Sequence, residues 1–279
     1  MKYPLWASLR RITLLLLAIS SLGIAQPLSA HEFWLQPQDF QPKTGDTLQV
    51  QLRNGQQFKG IEIGYFDKRI ERFEWFQNQT SAAVISRAGD FPAMRMTAKQ
   101  DGLMVLAYVS TFSIVQYYAL AKFLKFAAHK DFPKAEAEHR FRNLPKGRFN
   151  EAFTRYCKTL IGVGSAVGQD LQTNMETEFV ALSNPYTDDL SQGFTVRLLY
   201  RGSPRAHAQI EVFARDPGGK VTISLQHTDA QGHAVIAVKP AHQYLLDALI
   251  LREPDGTLAA ENHVVWETLW ASMTFYTPK

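Results

Sequence analysis

His31 is the residue of this sequence that is best placed to do chemistry. It follows the stretch QPLSA, which ends in the small residue Ala30 and is typical of an export cleavage site. A cut between Ala30 and His31 would leave a free amine on a histidine. That amine and the Nδ1 atom of the same imidazole can close a chelate ring, and a second histidine completes three nitrogens, a set that copper(II) favours and nickel(II) accepts. The amine deprotonates readily near neutral pH, so the sequence predicts a metal site that depends on processing.

Other histidines are candidates for the remaining ligand. His263 opens the last predicted strand, where a domain interface could bring it to His31. His129 and His139 flank a charged, mobile connection, where a lid or a transfer ligand could sit. The alternative for each is a solvated surface histidine. The predicted metal ligands are therefore His31, His263, His129 and His139, and the ion is nickel, cobalt or copper.

The first thirty residues predict a secretory signal peptide. Three basic residues precede an apolar core at residues 12–25, which is shorter than the roughly 18–20 residues that span a bilayer. A cut after Ala25 is also possible, but a cut after Ala30 is preferred because Pro27 breaks the helix just upstream. We expect a periplasmic protein, with an uncleaved inner-membrane anchor as the alternative.

Composition argues against a nucleic-acid partner. The chain has 30 basic and 26 acidic residues, and three of the basic ones lie in the leader, which leaves 27 against 26. No phosphate loop, zinc-protease motif or nucleophile elbow occurs, so we identify no small-molecule substrate and expect no enzyme. The one cysteine, Cys157, cannot form an intrachain disulfide, which is compatible with a bacterial periplasm.

Residues 31–170 predict an N-terminal β domain that carries a helical insertion. The stretch TLQVQLR at residues 47–53 alternates as a strand does, and three further segments resemble it. The insertion is expected at about residues 112–164, with helical apolar spacing over residues 118–128 and again over residues 149–161. The second predicted helix would bury Cys157 and pair three charged residues on its surface, namely Glu151, Arg155 and Lys158.

Residues 171–279 predict a second β domain of about seven strands. The turn DAQG at residues 229–232 is expected to join two strands as a hairpin, which would bring His227 and His233 close together. In the last strand Trp266 and Trp270 oppose an aliphatic face, so both faces should be packed. The predicted fold class is mainly β, with two immunoglobulin-like or transthyretin-like β-sandwich domains and a helical insertion between them.

Six segments together resemble a known family. They are HEFWLQP (31–37), EAFTRYCKTLIGVG (151–164), LLYRGSPRAHAQIEVF (198–213), TDAQGHAVI (228–236), YLLDALILREP (244–254) and WETLWASMTF (266–275). They are similar to a bacterial periplasmic family catalogued as a domain of unknown function and linked to nickel uptake (NikM-like proteins). The resemblance implies the two β domains, the helical insertion and a role near transition-metal uptake. It carries over no catalytic mechanism.

The chain departs from that family at two places. It has His207 where such sandwich modules often have glycine. Some relatives carry a histidine in the strand matching residues 244–252, where this chain is aliphatic around Leu249 and Ile250. If that histidine binds metal, this chain lacks one ligand.

Three functions are therefore compared. The first is an exported metal-binding accessory protein that passes nickel, cobalt or copper to a membrane transporter. The second is a scaffold or interaction module whose partner is another envelope protein. The third is a copper oxidase using the terminal histidine, although no extended aromatic substrate face supports it.

Overall fold

The structure is a computed structural model that describes residues 31–279, so the predicted signal peptide at residues 1–30 lies outside the described residues. Strands dominate, which confirms the predicted mainly β class. The elements in chain order are β1 (Glu32–Pro37), β2 (Thr47–Gln56), β3 (Lys59–Ile63), β4 (Ile70–Gln77), β5 (Thr80–Ala83), β6 (Met94–Thr97), β7 (Gly102–Ser110), β8 (Ser113–Tyr117), α1 (Leu120–His129), α2 (Ala135–Phe141), β9 (Phe149–Val163), β10 (Thr177–Ala181), β11 (Phe194–Tyr200), β12 (Ser203–Pro204), β13 (Gln209–Arg215), β14 (Val221–His227), β15 (His233–Ile236), β16 (His242–Arg252), α3 (Gly256–Asn262) and β17 (Val264–Thr277).

A nine-stranded sheet forms the central layer. Its order is β14-β13-β16-β17-β9-β7-β4-β5, and β8 also pairs with β9. The β17–β9 pair is parallel, whereas the other pairs in this sheet are antiparallel. The predicted boundary near residue 170 falls between β9 and β10, and the central sheet draws strands from both sides of it.

Two smaller sheets cover opposite faces of the central sheet. One is β1-β2-β3 with β6, and the other is β10-β11-β12 with β15. Side chains alternate between the two faces of a strand. On β7, Met104 and Leu106 accordingly pack into the core shared with the β1 sheet, while Leu103 and Val105 pack into the core shared with the β10 sheet. The sheets thus form three stacked layers, as in a sandwich.

The helix predicted over residues 149–161 is wrong, because these residues form strand β9. Layers cover both of its faces, so nearly every residue is buried and apolar residues also fall at helical spacings. The predicted surface ion pairing is wrong for the same reason. Glu151 and Arg155 share one face of the strand and Lys158 lies on the other, and all three are buried. Cys157 is buried, as predicted.

The other predicted helix is present as α1, followed by the short helix α2. Helical structure in this region is therefore limited to residues 120–141. The apolar face of α1 packs on one end of the central sheet, where Phe123 stacks on Trp266 with ring centroids 5.3 Å apart. Among the described residues, no helix has the length and apolar character needed to cross a membrane.

The predicted hairpin around the DAQG turn is wrong. The turn itself forms, since Gly232 donates its backbone N–H to the Asp229 carbonyl. However, β14 pairs with β13 in the central sheet and β15 pairs with β11 in a flanking sheet. The Asp229 carboxylate accepts the backbone N–H groups of Gln231 and His233. This side chain helps to hold the turn. Because β14 and β15 belong to different sheets, His227 and His233 do not face each other.

Candidate functional site

Strand β1 fixes the position of His31. Ser272 donates its hydroxyl to the carbonyl of Phe33 at 2.9 Å, and Thr274 donates to the carbonyl of Leu35 at 2.7 Å. Two steps along β1 thus match two steps along β17, so the strands run in the same direction. Extending this register by two more residues brings His31, which is half-buried, towards Trp270.

Five buried charged residues lie next to this point and are named here the charge cluster: Glu32, Lys130, Arg155, Glu211 and Asp247. Glu211 and Asp247 are direct neighbours on β13 and β16. Lys130 enters from the end of α1, with its Nζ atom 2.6 Å from Oε2 of Glu211 and 2.9 Å from Oδ2 of Asp247. One cation therefore bridges two carboxylates that the sheet holds side by side.

Burial controls the ionisation of these groups. Burial raises the pKa of Glu32 to about 7, and the negative charge of Asp247 adds to the effect, while Lys130 opposes it. Burial likewise raises the pKa of Asp247, again against Lys130. For Lys130, burial lowers the pKa, but Asp247 and Glu211 outweigh it and leave the pKa raised. Lys130 therefore stays protonated and positively charged, whereas the Glu32 carboxyl gains or loses its proton near neutral pH.

Two positively charged side chains lie over the indole ring of Trp270. The guanidinium carbon of Arg155 lies 4.1 Å from the ring centroid, and the Nζ atom of Lys130 lies 4.8 Å from it. Phe126 of α1 stacks on the same indole at 6.0 Å. The negative face of an aromatic ring attracts cations. Trp270 therefore links the end of α1 to the central sheet beside the charge cluster.

The charge cluster has unused hydrogen-bonding capacity. Among the described residues, Oε2 of Glu32, Oδ1 of Asp247 and Nη1 of Arg155 are buried without a hydrogen-bond partner. Three carboxylates also face only two permanent cations, Lys130 and Arg155. Unpaired buried polar atoms are costly, so this arrangement favours the arrival of another positively charged or polar group.

The predicted ligands occupy very different surroundings. His129 contacts the charge cluster, because its Nε2 atom lies 2.8 Å from Oε1 of Glu211, and its side chain is 68% exposed. His263 is exposed and adopts a left-handed conformation, with φ 52°, at the end of α3. It lies seven residues before Trp270, roughly 23 Å along β17. The structure therefore brings His129 to the cluster next to His31 and leaves His263 far from it.

His139 is buried, and both of its ring nitrogens are used in hydrogen bonds within the protein. It is 1% exposed, and its Nδ1 atom accepts the indole N–H of Trp266 at 3.0 Å. Its Nε2 atom lies 2.9 Å from the carbonyl of Pro145 and donates to it in the neutral tautomer. Both ring nitrogens are thus used to fasten α2 and the following loop to the sheet, and neither can bind a metal in this arrangement.

Sequence reasoning missed most of the charge cluster. The helical spacing predicts Arg155 on a helix surface, and no motif points to Lys130, Glu211 or Asp247. The stretch YLLDALIL did contain a signal, since a lone carboxylate, Asp247, stands inside an apolar run. Such a residue must be paired when the strand is buried. Within residues 31–279, no group of three or more His, Cys, Asp and Glu side chains has a geometry that could hold a metal ion.

The chain is a mainly β protein in which stacked sheets enclose a buried charge cluster at the first strand. Residues 28–252 match the family model described as Domain of unknown function (DUF4198), and the chain belongs to this family. A comparison with curated proteins finds no match.

Three solved structures share weak similarity with the chain. The D0-D1 domain of Intimin is 11% identical, with a TM-score of 0.20, and the alignment covers 88% of this chain and 98% of that one. A tetra-tandem repeat in the extending region of a large adhesion protein is 9% identical, with a TM-score of 0.20 and coverage of 88% and 49%. A DUF4785 family protein from Legionella pneumophila is 8% identical, with a TM-score of 0.22 and coverage of 77% and 51%. At these TM-scores the likeness supports no statement about function.

Proposed function

We propose that this chain is an exported envelope protein that binds a transition-metal ion through His31 at its mature N-terminus. The observation that carries the proposal is the position of His31. The described folded unit begins at His31, and β1 starts one residue later against the central sheet. A cut after Ala30 would thus free the amine where the strand begins, beside the charge cluster.

The donors suit nickel, cobalt or copper. The amine and imidazole of His31 supply two nitrogens in a chelate ring, and the exposed imidazole of His129 is the candidate third donor. His129 is tied to Glu211, and Glu32 couples electrostatically to the same carboxylate. The described side chains alone form no three-ligand group, so the site requires the free amine. A bound cation would also offset the excess of carboxylates in the charge cluster.

The test is a calorimetric titration of the chain from His31 to Lys279 with copper(II), nickel(II) and cobalt(II). A matched chain with one additional N-terminal alanine keeps the imidazole but converts the amine to an amide. We expect this extension and the His129→Ala variant each to weaken binding by at least about tenfold. The His263→Ala variant is the control and should bind as the parent does. Equal affinity in the parent and the extended chain would refute the chelate.

The cellular role that fits this site is delivery of the ion to a membrane metal transporter. Support for it comes from the resemblance to proteins linked to nickel uptake. Deleting the gene should lower cellular nickel, cobalt or copper when that metal is scarce, and supplying the mature protein with His31 intact should restore it. Supplying the protein with the alanine extension should not.

A second candidate is an envelope interaction module without a metal. It is favoured by exposed apolar side chains on an outer strand, Ile223 and Leu225 of β14. In that case the titration gives no binding in any variant.

A further inference from the structure

Strand β14 forms one end of the central sheet and leaves a long open edge. All seven of its residues pair with β13, and within residues 31–279 it pairs with no other strand. The opposite end of the sheet is β5, which has four residues. An open edge presents unpaired N–H and C=O groups and is a template for another strand.

The edge lacks the usual features that prevent such pairing. The sequence of β14, VTISLQH, contains no lysine, arginine, aspartate, glutamate or proline. Natural edge strands are commonly protected by charges, proline or short length. Instead, Ile223 is 46% exposed and Leu225 is 54% exposed. Both features favour a strand partner.

The hydrogen bonds show which groups are free. Thr228 donates its N–H to the carbonyl of Ala208, and Asp216 donates to the carbonyl of Lys220. These pairs continue the β13–β14 register at both ends, and bonded pairs alternate along an antiparallel ladder. The even-numbered residues of β14 therefore bond to β13. The outward-facing backbone groups belong to Val221, Ile223, Leu225 and His227.

We propose that β14 pairs antiparallel with β14 of a second copy of this chain, about a twofold axis at Ser224. In this register Ile223 opposes Leu225 of the other copy and Val221 opposes His227. The free backbone N–H and C=O groups of each residue therefore face those of its partner across the axis. Thr222 opposes Gln226 on the polar face. The central apolar pair is Ile223 with Leu225, the polar residues Thr222, Ser224 and Gln226 meet on the other face, and no like charges are opposed. The two central sheets become one continuous sheet.

The register selects a sharp cysteine test. The two Ser224 residues form a non-hydrogen-bonded pair, with Cα atoms about 4.5 Å apart, within the range that a disulfide spans. The two Thr222 residues lie four positions apart along the paired strands, about 14 Å. Both positions are exposed on the same face of β14, and the native Cys157 is buried. The Ser224→Cys variant should thus cross-link on mild oxidation, whereas Thr222→Cys should not.

Sedimentation velocity of the chain from His31 to Lys279, at micromolar to submillimolar concentrations, tests the dimer itself. The parent should dimerise with concentration, and Ile223→Lys should be monomeric. The control is Val235→Lys, which removes a 53% exposed valine from β15 and should still dimerise. A monomeric parent, a dimer that Ile223→Lys leaves intact, or cross-linking through position 222 in preference to position 224 would each overturn the proposal.

Discussion

The Nζ atom of Lys130 lies 2.9 Å from Oδ2 of Asp247, although 117 residues separate them in the chain. This contact joins the end of α1 to the middle of the central sheet. It also places the residues after α1, and with them His129, beside the charge cluster. The candidate metal site and the packing of the helices therefore depend on the same buried ion pair.

Replacing Lys130 with methionine should destabilise the protein strongly. The side chain volume is nearly kept, but Glu211 and Asp247 lose the cation between them, at a cost of roughly 3–5 kcal/mol. Urea unfolding of the mature chain measures the change. Lys125→Met, at an exposed position on the same helix, is the control and should change stability little. A loss for Lys130→Met no larger than for the control would contradict the role given to this pair.

Replacing His139 with phenylalanine should destabilise the fold without weakening metal binding. The change leaves the indole N–H of Trp266 buried without its acceptor, which costs about 1–3 kcal/mol. Urea unfolding and metal titration of the same folded sample separate the two effects. If metal affinity fell while the protein stayed folded, His139 would be a ligand after all. His263→Ala should alter neither property.

Glu151 should make the protein less stable as the pH rises towards neutrality. Burial raises its pKa to about 7, against hydrogen bonds from Thr268 and Tyr117 and the charge of Arg155. Because the folded pKa lies above the unfolded value of 4.5, the folded state binds more protons between these values. The contribution is fully present below pH 4.5 and is lost by about pH 7, on the order of 3 kcal/mol.

The measurement is urea unfolding of the parent and of Glu151→Gln across that pH range. The glutamine variant cannot ionise, so the parent should lose stability relative to the variant as the pH rises. A stability difference that does not change with pH would show that Glu151 keeps one protonation state throughout.

Export should leave a mature chain that begins at His31. Pro27 precedes the preferred cut, and β1 begins directly after it. Intact-mass measurement and N-terminal sequencing of the exported protein test this. A chain that begins at Gln26, or one that keeps its leader, would leave His31 without a free amine and remove the basis of the chelate.

Local sequence pattern is enough to predict most strands, the helix α1 and the mainly β class. These elements follow from local alternation and helical spacing, which the tertiary structure did not override. Residues 47–53 and 103–109 alternate or run apolar as strands do, and β2 and β7 include them. The burial of Trp266 and Trp270 also followed from the sequence, because two exposed indoles on one strand would be a large apolar patch.

Strand β9 and the charge cluster depend on tertiary packing and could not be predicted from local pattern. Residues 149–163 look helical because both faces of the strand are covered, and burial on both sides removes the two-residue alternation that marks a strand. The cluster joins side chains from β1, β9, β13, β16 and the residue after α1, which are distant in sequence. Their meeting depends on sheet order and register, which local pattern does not encode. For the same reason His129 reaches Glu211 in the charge cluster, whereas His263 stays at the end of α3, directly before β17.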